Sequence, residues 1–119
     1  MVAPTLFIVD DDAEFRRLAR RLFSDRGIDV IDEADSVAAA RKALSGLRPD
    51  AVLVDVSLPD GDGIELAREL AALEWAPRVV LTSTDVDIAT DGIGVGIVFV
   101  AKENLPTAPL HRLVSGANR

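Results

Sequence analysis

The sequence predicts an α/β fold: a doubly wound, five-stranded parallel sheet with helices on both faces. Three observations predict it. Five short apolar runs recur along 119 residues, and stretches of helical spacing separate them. The runs are continuous rather than alternating, as strands covered on both faces must be. Each run is followed by a polar turn, and every crossover between parallel strands is expected to be right-handed. A chain of this length corresponds to one domain, so residues 1–119 are read as a single unit.

The elements follow in order. Thr5–Val9 is an apolar run that stops abruptly at Asp10-Asp11-Asp12. A helix comes next, with Phe15, Leu18, Ala19 and Leu22 on one face and Arg16, Arg17, Arg20 and Arg21 off it. Asp12 suits its N-cap and Gly27 its stop. Ile28–Ile31 is a short second strand. Ser36 is the N-cap of an Ala-rich helix over Val37–Leu44, which ends near Gly46. Ala51–Val56 is the third strand and carries Asp55 near its end. The loop Pro59-Asp60-Gly61-Asp62-Gly63 leads to a helix over Ile64–Leu73. Val79–Leu81 is the fourth strand, ending in Thr82-Ser83-Thr84. Ile97–Ala101 is the fifth, ending in Lys102, and Leu110–Val114 is a final short helix begun near Pro106 or Pro109.

Composition narrows the function. The absence of cysteine excludes disulfides, thiolate metal sites and cysteine nucleophiles. A net charge of −7 argues against nucleic-acid binding by this chain alone, because phosphate backbones reward clustered Lys and Arg. No charged-then-apolar leader opens the chain, and no apolar run reaches the ~18 residues of a membrane span. The expectation is a soluble, cytoplasmic protein without a membrane partner.

The chemistry-bearing residues gather on one edge. All strands of a parallel sheet share a direction, so their carboxyl ends form one rim, where ligands bind. Asp10 and Asp11 end the first strand, Asp55 the third, Thr82 the fourth and Lys102 the fifth. Three carboxylates at close range repel unless a cation joins them. Mg²⁺ suits carboxylate oxygens and leaves positions open for phosphate oxygens. A carboxylate can act as a nucleophile and form an aspartyl phosphate. The metal, Lys102 and a hydroxyl such as that of Thr82 would then offset charge on the transferring group.

At this point the chain resembles the receiver domains of bacterial response regulators, the CheY-like superfamily of two-component systems. The matching pieces are Phe7–Asp12, Val52–Leu66, Val79–Thr84 and Phe99–Lys102, within a resemblance spanning Thr5 to Leu113. The second piece is the most specific, joining the phosphoacceptor strand to a Pro-x-x-Asp-Gly loop. The resemblance implies a flavodoxin-like (βα)5 fold with strand order 2-1-3-4-5. It implies Asp55 as phosphoacceptor, Asp11 as a direct Mg²⁺ ligand, Asp10 as one acting mainly through water, and the Ser57 carbonyl as a further ligand, with Mn²⁺ as a substitute metal. Thr82 is the hydroxyl that moves to the phosphoryl group, and Lys102 pairs with it. Phe99 is the switch aromatic, and Ser57 and Thr84 tune the lifetime of the phosphorylated state. The implied partners are a sensor histidine kinase or histidine phosphotransfer protein, and an output domain or protein at the face of helix 4, strand 5 and helix 5. Such a domain performs its own phosphotransfer and dephosphorylation but is not a turnover enzyme. Dimerisation of the phosphorylated form is left open.

Two features depart from the family. Glu103 follows Lys102 where relatives carry proline, so a trans bond is expected there, a cis one costing about 2.5–4 kcal/mol. Lys102–Leu105 has the Lys-x-x-Leu form of receivers joined to helix-turn-helix outputs, so the chain is a single-domain regulator or a piece of a longer one. Thr84–Gly96 should supply the fourth helix, yet it contains Gly92, Gly94 and Gly96, each costing about 1 kcal/mol in a helix interior. A short or irregular, mobile fourth helix is expected. Two other functions compete. One is an unphosphorylated receiver-like adaptor. The other is a haloacid-dehalogenase-like phosphatase using Asp10 in Asp10-Asp11-Asp12. The Arg-rich face of the first helix is read as solvated, with a kinase-docking surface as the alternative. His111 is read as a surface residue, and Trp75 as partial core.

Overall fold

The computed structural model describes residues 2–85 and 94–115. Its main sheet holds β1 (Thr5–Val9), β2 (Asp29–Ala34), β3 (Ala51–Asp55), β6 (Arg78–Thr82) and β7 (Ile97–Phe99). Between them lie α1 (Ala13–Asp25), α2 (Val37–Leu44), a small ribbon of β4 (Ser57–Leu58) and β5 (Gly61–Asp62), and α3 (Gly63–Ala71). A 3-10 helix over Lys102–Thr107 and α4 (Leu110–Ser115) follow β7. The sheet is parallel throughout, in the order β2-β1-β3-β6-β7. Counting only its own strands along the chain, this is the expected 2-1-3-4-5.

Side-chain alternation divides the core in two. Phe7, Val9, Val52, Val54, Val79 and Leu81 pack on one face with Ala40 and Leu44 of α2 and Leu66, Ala67 and Leu70 of α3. Leu6, Ile8, Leu53 and Val80 pack on the other with Ala19 and Phe23 of α1 and Leu110 and Val114 of α4. Both faces of β1 and β3 are thus dry. That is why these strands read as unbroken apolar runs and not as alternation.

Several boundaries differ from expectation. The second strand was expected at Ile28–Ile31 but forms at Asp29–Ala34. It lies at the sheet edge, where Asp32 is exposed and Glu33 is held by Arg16 and Arg20 of α1, so polarity does not end it. The fifth strand stops at Phe99 rather than Ala101, and the third helix begins at Gly63 and ends at Ala71. The loop after β3 holds the β4–β5 ribbon, because Ser57 and Leu58 pair with Asp62 and Gly61 across a tight turn. Leu18, counted to the apolar face of α1, is 62% exposed. Most of the expected fourth helix falls on residues 86–93, which lie outside the described residues, and so does its mobility. Gly94 (φ 128°) and Gly96 (φ 86°) hold left-handed backbone that a helix does not use. Among the described residues no peptide bond is cis, as expected for Glu103.

Caps set the loops that carry the site. Asp12 caps α1 by accepting from the Glu14 and Phe15 N–H groups, and Asp62 caps α3 through the Ile64 N–H. Ser36 caps α2 through the Ala39 N–H. The two other free donors of that turn, Val37 and Ala38 N–H, are taken at 2.8 and 3.0 Å by Asp60 from the β4–β5 turn. Hydrogen bonds from Ala38 and Val37 hold the Asp60 carboxyl below its ordinary range. The loop after β3 is therefore fastened to α2.

Candidate functional site

Asp10 follows β1 directly, and its N–H still bonds to Ala34 at the end of β2. Asp55 and Thr82 end β3 and β6 and face one another in register. Lys102 opens the 3-10 helix just past β7, held by its N–H to the Ser83 carbonyl. Sheet register alone thus brings four strand ends together.

Asp10 is fully buried and Asp55 is 7% exposed. Lys102 Nζ lies 2.8 Å from Asp10 Oδ2 and 3.6 Å from Asp55 Oδ2. Asp10 Oδ1 accepts from the Asp12 N–H at 2.9 Å, and Asp55 Oδ1 from the Ser57 N–H at 3.4 Å. Asp10 Oδ2 has no hydrogen bond of good geometry, but the ammonium beside it compensates its charge. The same ammonium sits 4.1 Å from the centre of the Phe15 ring, a cation–π contact. Asp10, Asp11 and Asp55 each offer one carboxylate oxygen, all within 4.8 Å of one another. Among the described residues, Lys102 is the one cation that touches this group. Burial, then the Asp10 charge, pushes the Asp55 carboxyl above its ordinary value; Asp11 adds to this, while Lys102 and the Ser57 N–H partly offset it.

That shift has a consequence for stability. A carboxyl whose value is raised in the folded state favours folding when protonated. Its contribution is full below the unfolded value of about 3.9 and is lost as pH rises through the folded value. In metal-free buffer near neutrality, Asp55→Asn is therefore expected to be more stable than the parent chain. The gain should vanish below about pH 4, where both side chains are neutral. Urea unfolding with a chelator at several pH values measures it; a neutral-pH loss would contradict it.

The other expected residues are also placed. Thr82 is fully buried, and its hydroxyl has no hydrogen-bond partner among the described residues. Thr84 is exposed and lines a groove of about 600 Å³ with Phe15, Leu18, Arg17, Arg21 and Lys102. Ser57 is exposed beside Asp55. Phe99 is half-buried on β7, pairs with Leu81 in register, and packs against the core. His111 is exposed, and Trp75 is half-buried at the opposite end of the sheet.

Four contributors were not read from the sequence. Gly63 lies against the Asp55 carbonyl, Phe15 covers Lys102, and Arg16 and Glu33 support the turn at Asp10. Glu33 carried a usable signal, because it too is a carboxylate near the carboxyl end of a strand.

The sequence model of the family described as the response regulator receiver domain matches residues 6–112. The chain is a response regulator receiver domain. It is 48% identical to the DNA-binding transcriptional activator DevR/DosR of Mycobacterium tuberculosis, over 96% of this chain and 55% of that protein. A protein-glutamate methylesterase/protein-glutamine glutaminase of Burkholderia thailandensis is 31% identical over 86% of this chain and 30% of its own length. The receiver thus spans about half of the activator and under a third of the methylesterase. Among solved structures, a LuxR-family two-component response regulator from Aurantimonas superposes with a TM-score of 0.80 at 26% identity, covering 93% of this chain and 82% of that one. The Mg²⁺- and BeF-bound regulator TrrA of Thermotoga maritima shares the fold, with a TM-score of 0.73 at 21% identity over 82% of this chain and 85% of that one.

The residues of this receiver fit a hard divalent cation. Three carboxylates face one lysine, so the cluster carries excess negative charge, and its donors are all oxygens.

Proposed function

We propose that this receiver accepts a phosphoryl group on the Asp55 carboxylate from a phosphohistidine of a sensor histidine kinase or histidine phosphotransfer protein. The observation that carries the reading is the convergence of Asp10, Asp11, Asp55, Thr82 and Lys102 at four strand ends, with Asp55 beside Asp10, Asp11, Thr82 and Lys102. Residues 1–119 act as one receiver unit, and their site of action is the cytoplasm. Among the described residues no helix is long and apolar enough to cross a membrane.

Each residue has a task that its surroundings allow. An Asp55 oxygen forms the bond to phosphorus as the bond from phosphorus to the imidazole nitrogen breaks, and the nitrogen keeps the electron pair. Asp10, Asp11, Asp55 and the Ser57 carbonyl would hold Mg²⁺, or Mn²⁺ in its place. The ion would supply positive charge to the phosphoryl oxygens. Lys102 already lies between Asp10 and Asp55 and can turn its ammonium to the new phosphoryl group. Thr82 has a buried hydroxyl without a partner among the described residues, a donor waiting for an acceptor. Its movement would open space beside β7, which is the route proposed for Phe99 to follow. Ser57, next to Asp55, and Thr84, in the groove beside Lys102, are assigned to the lifetime of the phosphorylated state. The signal would leave through the face of β7 and its flanking helices to an output domain or protein partner. Self-catalysed hydrolysis would then reset the domain, which is a switch rather than a turnover enzyme.

The phosphatase reading loses ground on geometry. Asp10 is sealed from solvent and engaged by Asp12 and Lys102, whereas Asp55 keeps an opening. The test is incubation with Mg²⁺ and acetyl phosphate, followed by intact mass. One added phosphoryl group is expected on the parent chain and none on Asp55→Asn. Loss only with Asp10→Asn, with multiple turnovers, would restore the phosphatase. No adduct on any chain would leave the adaptor.

A further inference from the structure

We propose that Arg16, braced by Glu33, is a positioning residue that sets the Asp10–Asp11 turn for cation binding. The inference rests on the Mg²⁺ reading above and adds a determinant outside the ligand set.

The turn after β1 needs an external support. Asp11 is exposed, and its carboxylate has no side-chain partner among the described residues. Its position is therefore dictated by the backbone of the Asp10–Asp11 peptide. Residue Asp10 is gripped on both of its backbone sides. The Asp10 N–H donates to the Ala34 carbonyl at 3.0 Å, and Arg16 Nη1 donates to the Asp10 carbonyl at 2.7 Å. Without the Arg16 contact the Asp10 carbonyl loses this anchor, and the Asp10–Asp11 peptide can rotate and carry the Asp11 carboxylate with it.

The guanidinium is itself held. Arg16 Nε donates to Glu33 Oε1 at 2.7 Å, and the Arg16 side chain is only 18% exposed. Arg20 takes the other oxygen, Glu33 Oε2, at 3.0 Å from Nε, and reaches the Val30 carbonyl with Nη1. Burial raises the Glu33 carboxyl, but hydrogen bonds and charge from Arg16 and Arg20 bring it below its ordinary value, so it stays charged near neutrality. Arg16 and Arg20 thus share one carboxylate, yet only Arg16 touches the turn that bears the ligands. This difference separates a positioning role from a general contribution to the fold. Outer-sphere supports of this kind commonly change metal affinity by about 10–100-fold.

The test is calorimetric titration of the unphosphorylated chain with Mg²⁺ alone, with the Mg²⁺ dependence of phosphorylation by acetyl phosphate as a second readout. Arg16→Gln is expected to weaken Mg²⁺ binding about tenfold, with the rate at saturating Mg²⁺ unchanged. Glu33→Gln should act in the same direction, and Arg16→Lys, which can reach the carbonyl or Glu33 but not both, should lie between. Arg20→Gln should leave Mg²⁺ affinity unchanged. Urea unfolding of each variant records stability separately, and Arg16→Lys carries the comparison if Arg16→Gln does not fold. Equal Mg²⁺ affinity in Arg16→Gln and the parent, or equal weakening by Arg20→Gln, overturns the proposal. Asp11→Asn separates the two readings. If it weakens binding while Arg16→Gln does not, only the positioning role fails; if the parent chain binds no Mg²⁺, the cation reading fails and takes the positioning role with it.

Discussion

Replacing Gly63 with alanine is expected to destabilise this receiver by about 3 kcal/mol, at the upper end of ordinary overpacking. A Cβ built on Gly63 would stand 1.9 Å from the Asp55 carbonyl oxygen and 2.8 Å from both the Asp55 carbonyl carbon and Val56 Cα. These are backbone atoms, so no rotamer change relieves the clash. The Gly63 N–H also donates to the Val56 carbonyl at 2.8 Å, which pins the start of α3 against the end of β3. Relief must come from moving that end, and Asp55 would move with it. Phosphorylation by acetyl phosphate should therefore fall together with stability. Gly46→Ala is the control, because nothing lies within 4 Å of its added Cβ. Urea midpoints for the two variants measure the difference, and equal midpoints would refute the close-approach account.

Lys102→Ala is expected to cost about 3–5 kcal/mol in metal-free buffer, the range for removing one partner of a buried ion pair. Asp10 is fully buried, and the Lys102 ammonium at 2.8 Å is its only charge partner among the described residues. Without it, Asp10 and Asp55 would face one another in a dry site. Two additions should reverse the loss. Asp10→Asn in the Lys102→Ala background removes the orphaned charge and should recover part of the stability. Mg²⁺ should stabilise Lys102→Ala more than the parent, because a ligand that binds only the folded state stabilises it by mass action. Thermal unfolding with and without Mg²⁺ reads both effects. A small loss that Mg²⁺ does not alter would mean that Asp10 is not held as a charged group by Lys102.

Much of the frame was legible in the chain. The strands at Thr5–Val9, Ala51–Asp55 and Arg78–Thr82 declare themselves because both their faces are buried, which leaves no place for a polar residue until the rim. The second helix forms at Val37–Leu44 as read, because Ser36 is a local cap that acts within three residues. Edge elements were less legible. At the edge strand β2 Asp32 is exposed and Glu33 pairs with Arg16 and Arg20, so both continue the strand without an apolar signature. Leu18 misled for the opposite reason: helical spacing assigns it a face, but nothing in the described residues packs over that part of α1.

The site shows the same division. The sequence by itself determined the five strand-end residues, because a parallel sheet converts position along each strand into a place on one rim. It also suggested the proposed chemistry, since carboxylates, a hydroxyl and an ammonium on that rim suit phosphoryl transfer to Asp55. Only the tertiary structure decided what holds them. Asp60 caps α2 from a turn more than twenty residues on in the chain, Arg16 reaches back to the Asp10 carbonyl while bound to Glu33, and Gly63 lies against Asp55. Each contact joins residues whose own neighbours carry no sign of the other. Local sequence encodes spacing and polarity along an element, whereas these distances arise only when separate elements pack.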